Sequence, residues 1–191
     1  MKFLIAGIIL VFTHSSLALT APVITNTAAK KEVVLGAAAT KALKKWNPGF
    51  QVFSVNDFPA AVVDLFKDAP KELPMAVAGD FNGDGKEDIA VVGHSAVNTF
   101  FVILVAGPAE YTVVLAETQA YKDPKNQSLT TETGDVQTGL STYLSLLPAK
   151  DLRFKNPKKK LDAIQIETYN ADTRAFYIKD GRSTEYKGLI L

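Results

Sequence analysis

The sequence predicts an α+β fold, a mostly antiparallel β-meander sheet preceded by two N-terminal helices. Three observations predict it. From Met75 onward, apolar and β-branched runs of strand length recur, and their links carry turn residues: Gly107-Pro108, Asn170-Ala171-Asp172 and Asp180-Gly181. Before Met75, two stretches carry helical signals instead. The chain also has 191 residues, 47% of them hydrophobic and none cysteine, which is enough to bury a core without disulfides. Short links between successive strands imply antiparallel neighbours rather than crossovers.

Residues 1–18 (MKFLIAGIILVFTHSSLA) read as a secretory signal peptide: Lys2, an apolar run over 3–12, and small residues at Ser16 and Ala18 before the cleavage point. The apolar run is too short to span a bilayer of about 30 Å. No cysteine follows it, which argues against a bacterial lipoprotein anchor. Residues 19–30 are small and polar, a flexible lead-in, and residues 31–191 form one globular domain.

Residues 31–46 are Ala-rich, with a weak apolar face at Val34, Leu35, Ala38, Ala42, Leu43 and Trp46, which predicts a helix stopped by Asn47-Pro48-Gly49. Residues 50–55 alternate as a short strand. Asn56 or Asp57 caps a second helix over 58–67, with Pro59 tolerated in its first turn. Strands are expected over 75–79, 88–93, 99–106, 111–117, 141–147, 161–169, 173–178 and 183–190. The polar, Thr-rich stretch 119–140 reads as an insertion, mobile or functional. Residues 149–160 read as a basic loop.

Composition narrows the function. Lys+Arg and Asp+Glu number 21 and 20, so neither nucleic acid nor an anionic membrane is the expected partner. Without cysteine there is no thiolate nucleophile and no Cys-based zinc site. Cleavage after Ala18 would remove His14 and leave His94 as the one histidine. The mature product is expected to be exported, periplasmic or secreted, with no membrane span.

The motif that carries chemistry lies at residues 79–90. Oxygen-bearing side chains fall at Asp80, Asn82, Asp84 and Asp88, with Gly83 and Gly85 between them. Alternate spacing in a tight turn aims oxygens into one concavity, and the glycines allow positive φ there. A hard cation such as Ca²⁺ takes six to eight oxygens. The four side chains and the Lys86 carbonyl supply five, and water completes the shell. The start of the loop is like an EF-hand, but Val91 stands where an EF-hand has its bidentate Glu. The run Ile89-Ala90-Val91-Val92 then favours a strand. An ion-free Asn-Gly or Asp-Gly hairpin needs one such pair, not four oxygen groups in register.

Residues 75–92 resemble an FG-GAP/VCBS-type repeat, the calcium-loop blade motif of integrin α-chain propellers and many secreted bacterial proteins. The resemblance implies that Asp80, Asn82, Asp84 and Asp88 are ligands and that Lys86 bonds through its carbonyl. It also implies a four-stranded, propeller-blade-like unit over 75–79, 88–93, 99–106 and 111–117. A propeller needs several blades, and only one motif is present. The C-terminal strands and the two helices must therefore cover the unit. Residues 161–187 more weakly resemble the C-terminal part of small exported bacterial proteins of uncharacterised family, with the turn Tyr177-Ile178-Lys179-Asp180-Gly181.

Other candidates carry less. Gly93-His94-Ser95-Ala96-Val97 lacks the last glycine of a nucleophile elbow, and His94 reads as an ordinary strand-end residue. Arg153, Lys155 and Lys158 to Lys160 read as a solvated loop. The six tyrosines read as sheet packing rather than a sugar-stacking face. Glu72 and Glu87 flank the loop without a legible acid–base geometry. The expectation is a calcium-binding, non-catalytic binding or structural module whose partner is a protein or glycan of the cell envelope. The alternatives are an envelope-polymer hydrolase whose carboxylates converge in the fold, or an inhibitor or assembly partner of a periplasmic protein.

Overall fold

The computed structural model describes residues 21–152 and 160–187. The expected signal peptide, residues 153–159 of the basic loop and the end of the last expected strand lie outside the described residues.

The described chain opens with a hairpin in which β1 (Val23–Asn26) pairs antiparallel with β2 (Lys31–Val34). Strand β1 falls within the lead-in expected over 19–30, and β2 shortens the helix expected over 31–46. Val23, Ile24, Thr25, Val33 and Val34 are β-branched and favour the pleated conformation over a helix. The Asn26 amide anchors the hairpin, its Nδ2 lying 2.6, 3.0 and 3.0 Å from the Phe66, Ala69 and Glu72 carbonyl oxygens. Gly36 then opens α1 (Ala37–Trp46), which ends where the Asn47 amide bonds the Leu43 carbonyl.

After β3 (Gln51–Val52) and a 3-10 turn at Val55–Asp57 comes α2 (Ala60–Asp64), shorter than the 58–67 expected. The amides of Leu65 and Phe66 bond back only three residues, so the helix tightens instead of continuing.

From residue 72 the chain is mostly β; the sequence predicts this from Met75 on, and the short strand at 72–73 is an addition to it. A six-stranded antiparallel sheet holds β4 (Glu72–Leu73), β5 (Ala76–Gly79), β6 (Asp88–His94), β7 (Asn98–Ala106) and β8 (Tyr111–Ala120) in sequence order. Strand β5 pairs with residues 88–91 of β6, and β3 pairs with residues 93–94. The expected insertion over 119–140 is organised. It contains a 3-10 turn at Pro124–Asn126 and a small hairpin of β9 (Ser128–Thr130) and β10 (Val136–Thr138), and Gln137 accepts a bond from the Ala61 amide. A second meander, β11 (Thr142–Leu147), β12 (Ala163–Thr168), β13 (Thr173–Lys179) and β14 (Arg182–Tyr186), forms a four-stranded sheet.

The two large sheets face each other, β11 lying beside β4 and β5, and β14 beside β8. Alternation along the central strands divides the core. Val77, Ala90, Val92, Phe101 and Ile103 join Leu144, Ile164, Ile166 and Phe176 between the sheets. Ala76, Ile89, Val91, Phe100, Val102 and Leu104 face the other way, onto Ala39 and Leu43 of α1. Strands β6 and β7 are thus covered on both faces, which is why they read as unbroken apolar runs rather than alternating ones.

Gly93 marks the tightest approach in the sheet. A Cβ there would stand 2.3 Å from the Gln51 carbonyl oxygen and 2.5 Å from the Phe50 ring. Gly93→Ala should cost about 3 kcal/mol, the upper end for overpacking, read as a lowered urea midpoint. A change under about 0.5 kcal/mol, the size of an ordinary surface substitution, would mean that β3 is not held against β6.

Candidate metal centre

Gly79 and Asp88 are the last cross-strand partners of β5 and β6, so residues 80–87 form the whole connection. Gly83 and Gly85 have φ of 76° and 81°, and these two left-handed steps turn the backbone amides inward. Asp80 gathers them. Its Oδ1 accepts from the amides of Gly83 at 2.7 Å and Asp84 at 3.1 Å, and its Oδ2 accepts from Gly85 at 2.9 Å. Asn82 Oδ1 accepts from the Asp84 amide and Asp84 Oδ1 from the Lys86 amide, each at 2.9 Å. The short polar side chains at 80, 82 and 84 thereby shape the turn through their own backbone, as Asx turns do.

Asp88 differs from the rest. It is 1% exposed. Its Oδ1 accepts from the Ala106 amide at 2.8 Å and its Oδ2 from the Phe81 amide at 3.1 Å. Burial pushes its pKa up to about 6, against the pull of these two amides, and the charges of Asp84 and Asp80 push the same way. The charges of Asp80 and Asp84 thus reach Asp88. Among the described residues, however, no three acidic, histidine or cysteine side chains are drawn tightly enough together to hold an ion as they stand.

The donor chemistry still fits a hard cation. A carboxylate offers about four acceptor positions and an amide oxygen two. The loop's amides occupy only one position on Asn82 and one on Asp84, and backbone amides take two on Asp88. Lys86 Nζ lies 3.7 Å from Asp84 Oδ2, a half-exposed pair worth little in water. Glu87 points away and pairs with Lys71 at 2.5 Å.

Two residues that the sequence reading did not assign hold the loop in place. Phe81 is fully buried between the sheets, and its carbonyl accepts from the Ile178 amide at 2.8 Å. Asp162, 82 positions beyond Asp80, accepts from the Asp80 amide at 3.0 Å and returns its own amide to the Asp80 carbonyl at 2.8 Å. Its other oxygen accepts from the Ala149 amide at 2.9 Å. Asp162 thus fastens the loop to the second sheet. No local pattern at that separation could have revealed it.

The remaining candidates lie elsewhere. His94 ends β6 with its ring stacked between Phe53 and Tyr121, at centroid distances of 4.7 and 4.8 Å. Tyr111, Tyr143, Tyr177 and Tyr186 lie in strands, and the first two are buried. Glu72 accepts from the Leu146 amide at 2.8 Å; burial raises its pKa and the charge of Glu167 adds to the rise. Among the described residues no helix is long and apolar enough to cross a membrane. Comparison of the chain with protein-family models, curated proteins and solved structures finds no match.

Proposed function

We propose that the protein is an exported calcium-binding module, a binding or structural unit rather than an enzyme. One observation carries the reading. Asp80, Asn82, Asp84 and Asp88 lie in or beside a single tight turn, Asn82, Asp84 and Asp88 keep acceptor positions beyond those the backbone amides use while Asp80 gives three to amides, and the charges of Asp80 and Asp84 act on the buried Asp88. A dication held by these four side chains and the Lys86 carbonyl would offset that repulsion. The meander β5 to β8 that carries the loop is compatible with a single FG-GAP/VCBS-type blade. The second sheet and α1 supply the cover such a blade needs. Residues 1–18 support export to the periplasm or the medium, where a protein or glycan of the envelope would be the partner.

Titration calorimetry with Ca²⁺ tests the reading. One site is expected, with Mg²⁺ weaker because it tolerates fewer protein oxygens. Asp84→Ala should lower the melting temperature in calcium and change little in chelator, since Asp84 is on the loop's exposed side. Absence of both heat and a melting shift would remove calcium from the account.

A second reading has its own observation. The charge of Glu167 on β12 adds to the raised pKa of Glu72 on β4, and the Tyr143 and Ser145 hydroxyls donate to Glu167. Burial, then Glu167, pushes the Tyr143 phenol well up. Two carboxylates in mutual range are the starting requirement for acid–base hydrolysis of an envelope polymer. Turnover of glycans or esters that disappears in Glu167→Gln would favour this reading over the first.

A further inference from the structure

We propose that the groove between α1 and β8 binds a long-chain carboxylate, with the acyl chain along the helix and the carboxylate at Lys41 and Lys45. The groove, open to solvent along one side, has a volume of about 660 Å³, within the span typical of small-molecule sites. Its helix wall is the stripe Ala38, Ala42 and Trp46, spaced four residues apart and therefore on one face. These residues are half-buried, whereas Ala39 and Leu43 beside them are buried against the sheet. The alanines leave room for a chain. Trp46 is held edge-on by Phe50 at 5.8 Å and Phe100 at 5.2 Å, so its ring is a fixed wall. Val113 of β8 forms part of the facing side.

Charge selects the occupant. Lys41 and Lys45 are exposed on the rim, one residue before Ala42 and Trp46, and among the described residues neither has an ion pair. The single acid on the opposite rim, Glu110, leaves the groove net positive. An apolar trough beneath two unpaired ammonium groups fits an amphiphile with one anionic head. A neutral or cationic amphiphile would forgo that attraction.

The test uses the one tryptophan of the chain, because all indole emission then comes from Trp46 on the groove's wall, and the lysine variant assigns the quenching to this groove rather than to the neighbouring cavity that Trp46 also borders. Brominated dodecanoate, titrated below its micelle concentration, should quench Trp46 saturably, with or without chelator. Lys41→Glu/Lys45→Glu should weaken that binding about tenfold or more, the sum of two surface-strength ion pairs. Both lysines are exposed, so an unchanged melting temperature would verify that the variant is folded. No quenching, equal affinity in the variant, or equal quenching by a brominated alkyl-trimethylammonium would overturn the proposal. So would sedimentation showing a dimer that the two substitutions dissociate, which would give the groove to a second copy of the chain.

Discussion

Replacing Asp88 with alanine is expected to destabilise the protein by about 2–4 kcal/mol in chelator and to abolish the response to calcium. The carboxylate is 1% exposed and satisfies the amides of Phe81 and Ala106. Alanine leaves both donors inside the fold without an acceptor, at about 1–3 kcal/mol each. Removing a charge that burial already resists returns part of this cost. Asp88→Asn separates the two effects, because it keeps the shape but turns an NH₂ toward one of the two backbone donors. It should also destabilise, though less than alanine. In the wild-type protein, calcium at 100-fold its dissociation constant should add about 2.7 kcal/mol, a melting shift of several degrees at this chain length. The melting temperatures of wild type and both variants, in calcium and in chelator, decide the matter. An Asp88→Ala protein as stable as wild type in chelator would show that this carboxylate does not hold the turn. One that still responds to calcium would place the ion elsewhere.

Phe81→Ala should be comparably damaging, at about 3–5 kcal/mol. The ring is fully buried between the sheets and lies so close to Gly79 that a Cβ there would stand 3.0 Å from it. Its backbone is held on one side by Asp88 and on the other by the Ile178 amide. Alanine therefore opens a cavity and unseats the middle of the loop. On the proposed function, calcium affinity should fall with stability, because the side chains proposed as ligands at 80, 82 and 84 are no longer positioned in advance. Phe81→Leu preserves most of the volume and should cost under about 1.5 kcal/mol. Denaturant unfolding measures both. A loss below about 1 kcal/mol for alanine, well under the range for a buried aromatic ring, would contradict the placement of the ring in the core.

Much of this fold is legible locally. Most strands from Met75 on are β-branched and separated by turn residues, so their antiparallel pairing with sequence neighbours follows from the chain, whereas the β9–β10 hairpin inside 119–140 and the division into two large sheets do not. The elements before Met75 are legible only in part. Residues 31–34 sit inside an Ala-rich window, yet Val33 and Val34 find partners in Val23 and Ile24, and pairing overrides the weak helical preference. Asn26 illustrates the limit, since its three carbonyl partners lie 40 to 46 residues away.

The candidate metal site divides in the same way. The sequence by itself determined the oxygen spacing at Asp80, Asn82, Asp84 and Asp88 and the glycines that let the turn close, because these depend on backbone conformation over a few residues. Only the tertiary structure decided that Asp88 is buried beneath Ala106, that Phe81 keys the loop between two sheets, and that Asp162 binds it from the second sheet. Burial and long-range hydrogen bonds depend on which surfaces meet, and that follows from packing the whole chain rather than from any local run of residues.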